Sequence, residues 1–135
     1  MKINTKIRYG LRMLIAIAQG GKLVNTTTLG EIMHVSPKYL RKLAGPLERG
    51  GLIQSVQGIY GGYRLSRDPD TITLQVLMDA FGEKVSLADC LLGKKCELRD
   101  SCLARQVWEM LEATMQKHFL PISLGDILAN RVKIP

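Results

Sequence analysis

Ser36-Pro37 is the strongest local signal in the sequence, because serine followed by proline is typical of the first turn of an α-helix. A short helix is predicted just before it, from Thr28 to about His34, with a capping box that Glu31 completes. Val35 then forms the turn, and Lys38 to Leu43 continue the next helix. Two short helices joined by so tight a turn predict a helix-turn-helix unit.

The second helix of this unit suits the major groove of a DNA duplex. A helix can enter that groove when its exposed face carries hydrogen-bond donors, and here Leu40 and Leu43 are left to face the core. Gly45-Pro46 is expected to kink or interrupt the helix, since proline lacks the amide and clashes with the preceding turn. The candidate DNA-contacting residues on this helix are Ser36, Lys38, Tyr39, Arg41 and Lys42.

Two strand-like runs follow, Leu52 to Val56 and Tyr63 to Ser66, on either side of the glycine-rich segment Gln57 to Gly62. A hairpin directly after a helix-turn-helix predicts a winged helix-turn-helix, with the hairpin over an adjacent minor groove. We expect Arg41 and Lys38 to read guanine edges. Contacts to sugar and phosphate are expected from Lys42, Arg49, Gln57, Tyr60 and Arg64.

The remaining periodic segments are helical. The predicted helices are Thr5 to Gln19, Leu74 to Phe81 after a Thr73 cap, Leu103 to Phe119, and Leu124 to Leu128 after Ser123 with Asp126. The fold class is therefore mainly α with a small β wing. We divide the chain into a DNA-binding domain (1–82), an ordered loop (83–102) and a helix with a C-terminal segment (103–135).

Composition favours a polyanionic partner. The 135 residues include 19 Lys and Arg against 12 Asp and Glu, a net charge of +7. The sequence shows no apolar run long enough for a membrane span and no signal peptide, so we expect a cytoplasmic protein without a membrane partner. It also lacks a nucleophile elbow, a phosphate-binding loop or a His-Glu metal motif, so we expect no enzyme.

The long C-terminal helix carries one apolar stripe, with little chain left to cover it. Two interpretations stay open: the stripe pairs with a second copy in a symmetric dimer, or the helix folds back on its own domain. A dimer would read a near-palindromic site. The stripe consists of Leu103, Val107, Met110, Leu111, Thr114 and His118.

Three cysteines, Cys90, Cys96 and Cys102, are spaced Cys-x5-Cys-x5-Cys in the ordered loop. This spacing matches neither a zinc ribbon nor a ferredoxin. Three thiolates with basic neighbours could hold an iron–sulfur cluster or zinc, and buried structural cysteines are the alternative.

The sequence resembles the IscR-type (Rrf2) family of bacterial winged-helix transcriptional regulators over nearly its whole length. The resemblance lies in Met1 to Gly10, Val35 to Leu40, Gly50 to Ile53, Gly61 to Leu65 and Ile122 to Leu128, together with the cysteine spacing. It implies a homodimeric transcription factor, usually a repressor. Its affinity for a double-stranded DNA operator would depend on a 2Fe–2S or 4Fe–4S iron–sulfur cluster, of which we expect 2Fe–2S.

The resemblance implies that Cys90, Cys96 and Cys102 are cluster ligands, but it supplies no fourth one. Some members of the family have a histidine where this chain has Arg105, and others have an acidic residue or histidine in the first helix, where Arg8 and Arg12 stand here. Arginine is always charged and is not a metal ligand. The candidates left open are Glu97, Asp100, Glu109, His118, a residue of a partner chain and an exogenous molecule.

The family's pattern also differs at two DNA-reading positions. Arg41 replaces an acidic residue of some members, and Gln57 replaces a basic wing residue. We therefore do not predict an operator sequence.

Our leading hypothesis is a regulator in which the cluster controls DNA affinity in response to cluster supply, iron, oxidation or nitric oxide. A second hypothesis removes the cluster and assigns control to thiol oxidation or to a partner protein. A third, from another class, is an iron–sulfur carrier or scaffold, which would leave the basic helix without a role.

Overall fold

The computed structural model describes residues 2–135 as a mainly helical fold with one two-stranded antiparallel sheet. Its helices and strands are α1 (Thr5–Gln19), α2 (Thr26–Met33), α3 (Pro37–Arg49), β1 (Ile53–Val56), β2 (Gly62–Leu65), α4 (Leu74–Ala80), α5 (Leu103–His118) and α6 (Leu124–Leu128). Two 3-10 turns, Pro69–Thr71 and Asp89–Leu92, lie between them. The predicted fold class is confirmed.

Helix α1 forms the centre of the core. Its predicted bounds are confirmed, and the Asn4 side chain caps it by accepting a hydrogen bond from the Lys6 amide. Met13, Leu14 and Ile17 are fully buried because they recur on one side of the helix. That side meets α2, α3, β2, α4 and α6.

The helix-turn-helix begins two residues earlier than the sequence predicts. Asn25, rather than Thr28, caps α2, since its side chain accepts a hydrogen bond from the Thr28 amide at 2.8 Å. The helix ends where His34 adopts a left-handed conformation (φ 53°). Ser36 then caps α3 as predicted, accepting from the Tyr39 amide, with Pro37 in the first turn.

Of the kink or interruption expected at Gly45-Pro46, the interruption is wrong, because α3 continues through Pro46 to Arg49. A proline clashes with the Cβ of the residue before it, and Gly45 has no Cβ. The one lost hydrogen bond is offset by the burial of Leu43 and Leu47, whose side chains are 1% and 0% exposed.

The wing is a hairpin in which Ile53 pairs with Leu65 and Val56 with Gly62. A bridge between Val24 and Tyr63 ties it to the segment before α2, with N···O distances of 2.9 and 2.8 Å. The wing is therefore fixed to the helix-turn-helix by backbone hydrogen bonds.

The segment after α5 returns to the core. Leu124 of α6 is 1% exposed, and Ser123 caps this helix in a capping box with Asp126, as predicted. A bridge joins Thr73 to Ser123, and the Leu74 amide donates to the Ile122 carbonyl oxygen at 2.9 Å.

Helix α5 has no buried residue. Its half-buried residues, Arg105, Glu112 and Met115, lie away from the apolar stripe, so the stripe faces solvent in the single chain. Within residues 2–135, no helix is long and apolar enough to cross a membrane.

Candidate nucleic-acid interface

Helix α3 separates an apolar face from a cationic one. Its N-terminal half exposes Lys38, Arg41 and Lys42, whereas Leu40 and Leu43 are buried as predicted. Over the described residues, none of these three cations has a carboxylate within 4.0 Å. Their charge is therefore available to an external anion, which is what binding to a phosphate backbone requires.

Tyr39, the aromatic candidate on α3, is half-buried. Its ring packs edge-on against Tyr9 of α1, with centroids 5.6 Å apart and planes at 87°. Arg12 lies over the other ring, its Cζ 5.0 Å from the Tyr9 centroid. Tyr39 therefore joins α3 to α1, and only part of its side chain is left for another contact.

A groove of about 640 Å³ separates the wing from the helix-turn-helix. Its wall on the helical side carries the hydroxyl groups of the first turn of α2 and the guanidinium of Arg41, and its wing side carries Gln57. Glu31 is the one acidic side chain among its lining residues. The groove is lined by Asn25, Thr26, Thr27, Thr28, Glu31, Arg41, Ser55, Val56, Gln57, Gly58, Ile59, Gly61, Gly62 and Tyr63.

Tyr63 forms part of the floor of this groove. Burial raises the pKa of its phenol above the usual value, the nearby carboxylate of Glu48 adds to this, and Arg41 opposes it. Tyr63 is therefore a neutral residue at physiological pH, and the charged side chains that line the groove are Arg41 and Glu31.

The three predicted wing contacts do not lie together. Gln57 lines the groove, and Tyr60 projects from the hairpin tip with its side chain 92% exposed. Arg64 lies on β2, where its Nε donates to Gln54 Oε1 across the sheet at 3.1 Å. It also borders a separate depression beside Leu23.

A second basic surface lies on the other flank of α3. Lys6, Lys42 and Arg49 border a depression next to Pro46 and Phe81, and Arg41 lies at the boundary with the first groove. A helix in the major groove has a DNA backbone on each side, so cations on both flanks of α3 suit contacts to phosphates of both strands.

The three thiols of the cysteine loop are free and differ in exposure. Cys96 is exposed, and Cys90 and Cys102 are half-buried. Among residues 2–135, no three His, Cys, Asp or Glu side chains come close enough together to hold a metal ion. The donor chemistry suits an iron–sulfur cluster, but the arrangement of the single chain does not fit one.

Arg105 lies beside this loop, where some members of the resembled family have a histidine. Its Nε donates to Glu109 Oε1 at 2.6 Å, and this hydrogen bond raises the pKa of the guanidinium. Desolvation opposes this rise in pKa, and the electrostatic interaction with Glu109 adds to it. Glu109, a candidate fourth ligand, is thus paired with Arg105.

Comparison with known proteins identifies the family. A family model described as Rrf2, "Iron-dependent Transcriptional regulator", matches residues 3–130. The chain belongs to the Rrf2 family.

Relatives of this Rrf2 chain are transcriptional regulators. The HTH-type transcriptional regulator IscR of Aliivibrio salmonicida is 31% identical over 133 residues, which is 96% of this chain and 79% of the relative. Among solved structures, CymR of B. subtilis, described as the global cysteine regulator, has a TM-score of 0.81 at 28% identity over 96% of this chain and 98% of that one. T. potens IscR has a TM-score of 0.73 at 26% identity, covering 97% and 88%.

The named relatives of this chain are therefore regulators of transcription and not enzymes. Transcriptional regulation and DNA binding follow from the family, as the sequence predicts. No local pattern in the sequence pointed to Thr26, Thr27 or the exposed side chain of Ile59 as part of this surface, and Thr28 was predicted only as a helix cap. The threonines come near the wing only through the bridge between Val24 and Tyr63, which no local sequence pattern indicates.

Proposed function

We propose that this Rrf2 protein is a transcriptional repressor that binds duplex DNA as a homodimer, with α3 in the major groove. The observation that carries the proposal is the cationic face of α3, which has no ion pair within the described chain and whose Arg41 lines the groove between the helix-turn-helix and the wing. In this arrangement residues 1–82 bind DNA, residues 83–102 receive a signal, and α5 in residues 103–135 pairs the subunits.

The roles of the DNA-contacting residues follow from their positions. Ser36 and Lys38 lie at the N-terminal end of α3, which enters the groove first, so Lys38 and Arg41 are proposed to reach guanine edges. Lys42 and Arg49, on the second basic surface, are proposed to contact phosphates. Tyr39, Gln57, Tyr60 and Arg64 remain proposed contacts to the backbone or the minor groove.

The homodimer is supported by the uncovered stripe of α5. Leu103, Val107 and Met110 are 80%, 52% and 64% exposed, and a soluble protein rarely leaves such a surface uncovered. A stable interface buries about 1,600 Å² in total, and a long helix paired with its copy supplies much of that area. Two α3 helices related by twofold symmetry would then read two half-sites about one helical turn apart or more.

Selection of binding sites from random duplexes, followed by mobility shift, tests the DNA-binding proposal. We expect a near-palindromic site bound with strong salt dependence, and Arg41→Ala to lower affinity by about 1–3 kcal/mol while relaxing preference at one base position. Lys133→Ala, an exposed cation near the C-terminus, is the control and should bind like the wild type. Absence of binding at low ionic strength would overturn the proposal.

We propose that the Cys-x5-Cys-x5-Cys loop controls DNA affinity through an iron–sulfur cluster, 2Fe–2S rather than 4Fe–4S. The support is the set of three thiols, the nearby Lys94, Lys95 and Arg99, and the likeness to IscR proteins. A cluster would supply sensitivity to oxygen, nitric oxide or iron supply. Because the thiols stand apart in the single chain, this proposal depends on donor chemistry and relatives.

Anaerobic purification with measurement of iron, sulfide and the visible spectrum tests the cluster. We expect thiolate-to-iron absorption that the Cys90→Ser, Cys96→Ser and Cys102→Ser triple variant loses. A colourless, iron-free protein after reconstitution would overturn the cluster but leave DNA binding intact.

A second regulatory candidate is thiol oxidation without a metal. It is favoured by the exposure of Cys96, by the lack of a three-ligand group among residues 2–135, and by the structural likeness to CymR, the global cysteine regulator. Hydrogen peroxide would oxidise a thiol to a sulfenic acid and leave water. A metal-free protein whose DNA affinity responds to peroxide, and a triple variant that does not respond, would favour this candidate.

A further inference from the structure

The tip of the wing exposes two large apolar side chains. Ile59 and Tyr60 are 94% and 92% exposed, against 56% for Ile32 on the neighbouring helix α2. The hairpin from residue 53 to residue 63 contains no Asp, Glu, Lys or Arg. Because the tip carries no charge, it neutralises no phosphate, so it contacts DNA through hydrogen bonds and apolar surface rather than through ion pairs.

This tip is held in a fixed position. The pairing of β1 with β2 supports it from below, and the Gly61 amide donates to the Gly58 carbonyl oxygen at 3.0 Å to close the turn. A side chain at Gly61 would collide with the Val56 carbonyl oxygen, so the turn is closely packed against its own strand. Ile59 and Tyr60 are therefore presented by a constrained turn.

The groove between the wing and the helix-turn-helix determines which part of a DNA duplex the tip can contact. In a duplex, one sugar-phosphate strand separates the major groove from the adjacent minor groove. When α3 occupies the major groove of the DNA, this sugar-phosphate strand runs along the groove of the protein that Arg41 and the threonines of α2 border. The wing lies on the opposite side of the strand from α3. The tip then lies at the minor groove.

We propose that Ile59 and Tyr60 form an apolar wedge that enters the minor groove and bends the DNA. This inference rests on the proposed DNA-binding function and assigns a role to residues outside its basic contacts. Apolar side chains inserted from the minor groove partly unstack a base step and bend the duplex toward the major groove. Since pyrimidine–purine steps unstack most easily, the wedge would select sequence at positions that no donor reads.

The test compares full-length wild type with the Ile59→Ala/Tyr60→Ala double variant on the DNA site that the wild type selects. Affinity is measured across a salt series, and the bend by energy transfer between dyes at the two fragment ends. For the double variant we expect affinity to fall at least about tenfold, the bend to decrease, and the dependence of log K on log salt to keep its slope. Preference for a flexible step beneath the wing should also weaken.

Ile134→Ala is the matched control, because Ile134 is 97% exposed but lies at the C-terminus. It should leave affinity and bend unchanged. Both substituted tip residues are exposed, so thermal unfolding of the double variant should match that of the wild type.

Three outcomes would count against the wedge. Unchanged affinity and bend in the double variant overturn it, and so does a loss of affinity with a shallower salt slope, which would indicate phosphate contacts. Unchanged DNA binding with loss of repression would instead place a protein partner on the tip, and also overturns it. Failure of the proposed function is distinct, because the wild type itself would then bind no DNA.

Discussion

Gly62 shows how one residue joins the wing to the helix-turn-helix. A Cβ at this position would collide with the Val24 carbonyl oxygen, and the backbone φ of +155° is one that other residues rarely adopt. We expect Gly62→Ala to lower the free energy of unfolding by about 2 kcal/mol or more, because backbone atoms rather than a flexible side chain must move. Chemical denaturation measures the change.

Ser55→Ala, an exposed position in β1, serves as the control for Gly62→Ala and should change stability by less than about 0.5 kcal/mol. A Gly62→Ala variant as stable as this control would show that the bridge between Val24 and Tyr63 does not fix the wing.

Asp126 makes stability depend on pH. Its carboxylate accepts from the Ser123 amide at 3.0 Å and from Arg131 Nε at 3.1 Å, and these bonds lower its pKa, the backbone bond most. A lowered folded-state pKa stabilises the protein above the unfolded value of about 4, and this stabilisation is lost as pH falls through the folded-state pKa.

We therefore expect Asp126→Asn to melt below the wild type at pH 7 and the gap to close as pH falls below the unfolded-state pKa and through the lowered folded-state pKa of Asp126. Glu97→Gln, in the exposed cysteine loop, should track the wild type throughout. A gap of constant size at every pH would contradict the assignment to Asp126.

At the scale of the element, α5 is a long helix whose apolar stripe stays exposed among residues 2–135. We expect Val107→Glu/Met110→Glu to convert a dimer into a monomer, because two charges would enter the interface of each subunit unpaired. Sedimentation equilibrium measures the mass. Gln116→Glu adds a charge at an exposed position on the side of α5 opposite the stripe, and this variant should remain dimeric. Monomeric wild type, or a dimeric double variant, would show that the stripe pairs no subunits.

Helix α3 illustrates the limit of local patterns for an element. Its start at Ser36-Pro37 could be predicted, since the cap and the proline act within one turn. Its continuation through Pro46 could not, because it depends on the burial of Leu43 and Leu47 against other elements.

At the scale of the whole molecule, the proposed cluster loop lies between the DNA-binding domain and α5. Removal of a reconstituted cluster by a chelator is expected to change DNA affinity at least tenfold, which is about 1.4 kcal/mol. Fluorescence anisotropy with the selected site measures it, and the cysteine-to-serine triple variant should not respond. Identical footprints for protein with and without cluster would contradict control by the cluster.

The sequence alone determined the features that arise within a few residues of one another. These are the helix caps at Ser36, Thr73 and Ser123, the buried and exposed sides of α3, the hairpin and the cysteine spacing. Tertiary structure decided which distant side chains meet: Arg41 and Gln57 share a groove, Arg64 turns to Gln54 outside that groove, and the three thiols stay apart. Caps and periodicity follow from local hydrogen bonding and burial, whereas such meetings depend on how the wing and the cysteine loop pack against the helices.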